Sequence, residues 1–193
     1  MANHLSSRFQ YYLNKGFTLI ELMVGIAIVA IVITIGVPAL NDFNTQMRVD
    51  NQISEVNRLL LTARNAAINT ESNVTVCPLK ADNTCGNDWT GQISVFTNTA
   101  ANTAYDAVNE RLITVKDAVR DGDKLTFAAT NIVYGATGQM ISATSGLIGF
   151  CPSEGADLNR GLVITASGRV ATTSDTDNDG KDETRAGDEV SCS

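Results

Sequence analysis

In the stretch Gly16-Phe17-Thr18-Leu19-Ile20-Glu21, a carboxylate lies four residues beyond Phe17, at the mouth of an apolar run without charged residues that lasts to Leu40. A carboxylate in lipid costs roughly 2.5 kcal/mol or more unless a cation meets it. Glu21 is the only acid before Asp42, so the chemistry it points to is pairing with a cation out of water. The leader Met1–Gly16 carries Arg8 and Lys15 and no acid, a bias that keeps such a segment on the cytoplasmic side. A secretory signal would have its small residues after the apolar segment, whereas here Gly16 precedes it.

A second group is the turn Asp175-Thr176-Asp177-Asn178-Asp179-Gly180-Lys181-Asp182-Glu183. Carboxylates at loop positions one, three and five with glycine at six match the start of a calcium loop, because alternate acids on a bent chain converge as hard oxygen ligands. Asp175, Asp177, Asp179 and Glu183 are the candidate ligands. Position twelve is Ala186, so the bidentate acid of an EF-hand is missing, and Asp182, Asp188 or backbone carbonyls would complete the shell. The competing expectation is a solvated acidic turn.

The four cysteines, Cys77, Cys85, Cys151 and Cys192, all follow the apolar run and suit an oxidising compartment. Of three possible pairings, Cys77 with Cys85 closes a short polar loop, and Cys151 with Cys192 ties down the tail. Zinc is disfavoured, since no Cys-x-x-Cys occurs and the single histidine, His4, is in the leader. Without that leader no histidine remains, and no nucleophile elbow or phosphate-binding loop is present, which argues against an enzyme. The formal charge is −7, and removing Arg8 and Lys15 takes −7 to −9, a poor balance for meeting phosphate backbones.

The elements that must carry these groups are read from periodicity. Leu22 to Leu40 is about the length that crosses a bilayer as a helix. Val49, Ile53, Val56, Leu60, Ala63 and Ala67 then recur at steps of four and three, an amphipathic stripe. The spacing predicts one helix to about Asn69, roughly 80 Å long, with Pro38 as the site of a kink. Beyond it, short runs rich in Val, Ile, Thr and Phe predict strands at 74–77, 92–97, 111–115, 124–128, 131–134, 146–151 and 161–170. An antiparallel sheet whose apolar face is covered by the 49–67 stripe is their natural sum, an α+β fold. Trp89 is expected as a core anchor.

The N-terminal motif closely resembles the type III signal of type IV pilins and type II secretion pseudopilins. The segments Val74-Thr75-Val76-Cys77-Pro78 and Arg160-Gly161-Leu162-Val163-Ile164, followed by Ser167-Gly168-Arg169-Val170, resemble FimT/GspH-type minor subunits. The resemblance implies a pilin-like ladle with a cleaved leader (1–16), a membrane and assembly half of the helix (17–40), an amphipathic half (41–70) and a β domain (71–193). It implies cleavage by a prepilin peptidase between Gly16 and Phe17, N-methylation of Phe17, and Glu21 meeting a Phe17 amine during assembly. It also implies a single-pass inner-membrane protein with its C-terminal domain periplasmic, later carried to the pilus surface. The expected partners are major and minor pilins and the inner-membrane assembly platform, with no cofactor required. The cysteines favour the pilus branch over a secretion pseudopilin. Some FimT-like proteins resemble DNA-uptake receptors with a Gly-Arg-x-Arg tail; here that tail reads Gly168-Arg169-Val170-Ala171, which leaves Arg160 and Arg169, with Lys181 or Arg185, as DNA candidates.

Overall fold

Thr18 and Glu21 stand in the Thr-x-x-Glu spacing that caps a helix reciprocally. In the computed structural model, which describes residues 16–99, 102–141 and 145–192, the Thr18 N–H donates to Glu21 Oε2 at 2.9 Å and the Glu21 N–H donates to Thr18 Oγ1 at 3.3 Å. Helix α1 follows at once, Leu19–Thr70. The expected leader, apart from Gly16, lies outside the described residues. The chain divides after Asn41 into two compact units. In the first, apolar side chains such as Ile20, Ile26, Val32 and Leu40 are exposed, and the helix is long and apolar enough there to cross a membrane.

In the second unit the stripe Val49, Ile53, Val56, Leu60, Ala63 and Ala67 is buried, with Leu59 beside it. It packs into one core with residues from two four-stranded antiparallel sheets. The first sheet has the order β3-β2-β1-β5, with β1 Val74–Pro78, β2 Ile93–Thr97, β3 Leu112–Lys116 and β5 Ile132–Tyr134. The second has the order β4-β6-β7-β8, with β4 Lys124–Thr126, β6 Gly146–Cys151, β7 Arg160–Ile164 and β8 Val170–Thr172. Polar ties hold α1 in place: Arg48 Nε lies 3.1 Å from Asp123 Oδ2, and Arg64 Nε donates to the Gly138 carbonyl at 3.0 Å.

One strand expected at 161–170 is two strands. Gly168, at φ 74°, donates its N–H to the Thr165 carbonyl at 2.8 Å and turns the chain back, while the Thr165 N–H donates to the Arg169 carbonyl at 3.0 Å. The apolar residues on both sides hid a three-residue turn that needs a left-handed glycine. β4 also stops at Thr126, short of the expected 128.

Both faces of β1 and β2 are covered, so β1 is buried throughout and only Thr97 of β2 is partly exposed. α1 covers one face. On the other, the bonded pair Cys77 and Cys85 forms a small second core with Phe96, Leu79 and Tyr105. Trp89 is an anchor of the main core: its Nε1–H donates to the Ala129 carbonyl at 2.8 Å, and its ring meets Phe127 edge-on at 5.2 Å.

Tyr134 is fully buried, and its hydroxyl has no hydrogen-bond partner among the described residues. Burial pushes its pKa up to about 12, against the lesser pull of Arg64. A folded-state pKa above the unfolded value of 10.0 contributes stability below pH 10 that is lost as pH rises toward about 12. Tyr134→Phe is therefore expected to be neutral to stabilising near pH 7, by up to about 1 kcal/mol, because it removes an orphaned hydroxyl. Its advantage over the parent should widen by roughly 2 to 3 kcal/mol between pH 10 and 12. Denaturant unfolding of both proteins across that range measures the gap.

Candidate functional site

Gly16 and Phe17 precede α1 without regular structure. Phe17 is 90% exposed, and among the described residues nothing lies within 4 Å of where a Cβ on Gly16 would be. The Gly16–Phe17 bond thus lies between two exposed residues just ahead of a capped helix. Glu21 is held from two sides, since the Thr18 hydroxyl also donates to Glu21 Oε2 at 2.9 Å. The part played by Thr18 was missed in the sequence reading, although its signal, threonine three residues before glutamate, was there.

At the other end, Cys151 is bonded to Cys192, with Cα atoms 6.1 Å apart and 41 residues of separation. The last stretch of chain lies on the outer face of the second sheet, over the cross-strand pair Gly149 and Gly161. A Cβ on Gly149 would meet Val190 at 3.4 Å and Cys192 Sγ at 3.5 Å, and one on Gly161 would meet Val190 at 3.3 Å. Two glycines side by side make the flat place on which Val190 is buried.

The acidic turn gathers three of the four candidate calcium ligands: Asp175, Asp177 and Glu183 each place a carboxylate oxygen within 4.8 Å of the others. Asp179 is outside this group and instead accepts from the Lys181 N–H at 2.9 Å. Asp182 is turned inward, where it accepts from Arg160 Nε at 2.9 Å and the Thr173 hydroxyl at 3.0 Å. Which acid faces in follows from the pairing of Ser174 with Glu183, which spacing alone does not reveal. The gathered acids already have donors. Asp175 accepts from the Asn178 and Gly180 N–H groups, Asp177 from that of Asp179, and Glu183 from Thr176. Those donors shape the turn around the three carboxylates.

The DNA candidates separate in the same way. Arg160 is spent between Asp50 on α1 and Asp182 in the tail, and Lys181 pairs with Glu189 at 3.1 Å, which raises its pKa. Arg169 and Arg185 are exposed and form no ion pair among the described residues.

Residues 52–168 match the family described as Type II transport protein GspH, and residues 13–37 match the prokaryotic N-terminal methylation motif. The chain is 40% identical over 55 residues to a fimbrial protein of Pseudomonas aeruginosa, and a second fimbrial protein of that organism matches equally. The match takes in 28% of this chain and 36% of each relative, so the chain covers about a third of their length. Two crystal structures of the Pseudomonas aeruginosa type IV minor pilin FimU share the fold. One has a TM-score of 0.53 at 19% identity, covering 67% of this chain and 90% of that one. The other has a TM-score of 0.51 at 18% identity, covering 65% and 92%.

Proposed function

The chain belongs to the GspH family, and from that premise we propose that it is a minor subunit of a type IV pilus, anchored by α1 and incorporated at or near the pilus tip. The observation that carries this reading is the exposed Gly16–Phe17 bond ahead of a capped apolar helix with Glu21 in its first turn. Cleavage there would make Phe17 the first residue and give it a cationic amine. Packing of α1 beside a neighbouring helix could bring that amine to Glu21 where neither charge is solvated, so each would need the other. The role is structural, not catalytic. The fimbrial relatives and the FimU fold support the pilus over a secretion system. Mass spectrometry of sheared pili tests it: a mature chain beginning at N-methylated Phe17 is expected, and an uncleaved chain free of the membrane would overturn the proposal.

For DNA uptake the fold offers less than the tail motif suggested. With Arg160 neutralised by two aspartates and Lys181 paired with Glu189, Arg169 and Arg185 are the tail candidates left exposed without an ion pair among the described residues, too few at that site for strong counterion release. The full chain in detergent is expected to leave a short duplex unretarded in a low-salt gel. Retardation abolished by Arg169→Ala would reverse that ranking.

A further inference from the structure

Among the described residues, strand β8 is the last of its sheet and has one free edge. The bonds Thr165 N–H to Arg169 and Thr173 N–H to Gly161 fix the alternation of the ladder. Ala171 therefore faces β7, while the N–H and C=O groups of Val170, Thr172 and Ser174 face outward. Ser174 is taken: it exchanges hydrogen bonds with Glu183 at 3.3 and 3.4 Å. An antiparallel partner continuing from Glu183 would next cover Thr172 and Val170. It does not, because a turn closed by the Thr184 N–H on the Asp188 carbonyl at 2.9 Å, with Gly187 at φ 89°, sends the chain back to pair Glu189 with Glu183. The tail begins a fifth strand and leaves it after one residue.

The vacant strand position borders an open groove of about 1080 Å³. Its floor is the cross-strand row Leu147, Val163 and Ala171, the half of the outer face that the tail does not cover. Arg169 and Arg185 line it, with Asp188 and the buried Glu183, whose carboxylate is held by Thr176. Exposed charge in the groove is thus net positive in a chain of formal charge −7.

We propose that this groove takes an extended, apolar peptide segment bearing a carboxylate, added as a strand along β8 and supplied by another protein subunit. Backbone pairing at Val170 and Thr172 would hold the segment, alternate side chains would rest on the Leu147–Val163–Ala171 floor, and the carboxylate would meet Arg169 and Arg185. A second copy docking β8 to β8 is disfavoured, because antiparallel pairing would bring the arginines of both copies together. The groove is built wholly from residues of the second unit and uses neither Phe17 nor Glu21, so the inference does not depend on the function proposed above.

The test uses the full chain in detergent micelles and an acetylated pentapeptide of alternating threonine and valine ending in aspartate. Hydrogen exchange followed by NMR should show the Val170 and Thr172 amides slowed by about tenfold or more at saturation, with Ala171 unchanged. Substituting both exposed arginines, Arg169→Ser with Arg185→Ser, or replacing the peptide's aspartate by asparagine amide, should each weaken binding about tenfold. Three results would overturn the proposal: no saturable binding up to about 1 mM peptide, binding without protection of Val170 and Thr172, or displacement of the peptide by a thymidine dodecamer, which would make the groove a phosphate reader.

Discussion

Glu21→Gln is expected to leave membrane insertion and cleavage after Gly16 unchanged while nearly abolishing recovery of the protein in sheared pili. Glutamine three residues after Thr18 can still reach back to the N-cap N–H, so the start of α1 survives and only the charge is lost. On the pairing proposed above, a cationic Phe17 amine left without its partner in a dry helix bundle would cost roughly 3 to 5 kcal/mol, enough to reduce incorporation by two orders of magnitude or more. Thr18→Ala is the converse variant: it removes the hydroxyl that holds Glu21 and leaves the charge free to pair. Incorporation near the parental level is expected for Thr18→Ala. Immunoblots of membrane and sheared-pilus fractions measure all of this, and Glu21→Gln recovered in pili at normal levels would show that Glu21 acts only as a helix cap.

Cys192→Ser should have the largest effect on stability. Closing a loop of separation 41 removes unfolded-state entropy worth nominally about 4 kcal/mol at 25 °C. For a unit of this size such a loss lowers the melting temperature by roughly 8 to 16 °C. The change should begin in the tail. Val190 is seated over two glycines and beside the disulfide, so the amides from Ser174 to Val190 should exchange faster well before the helix–sheet core opens. A uniform increase in exchange across both sheets would contradict that order.

How far the fold could be read in advance depended on whether a feature is local. The stripe from Val49 to Ala67 is a 3.6-residue period in plain view, and it is the face that the core buries. The short β runs were visible because β-branched residues lay between polar punctuation, but Ser167-Gly168 was passed over inside a longer apolar run. Arg160 shows the other limit. Its partners, Asp50 and Asp182, lie 110 and 22 residues away, and no spacing rule links them. The same holds for the acids of the tail: Asp179 and Asp182 look equivalent in a calcium-loop pattern, yet a single pairing at Ser174 sends one outward and the other to Arg160.

The two disulfides differ in when they can form. A chain made from its N-terminus presents Cys77 and Cys85 together, eight residues apart, whereas Cys151 must wait for Cys192, 41 residues on. The entropy lost on closing a loop grows with its length, so with all four thiols facing the same oxidant the first pair is the quicker to close. Once it has closed, Cys151 and Cys192 are left for each other. A head start of that kind would reduce three possible pairings to one and spare the chain a reshuffling step.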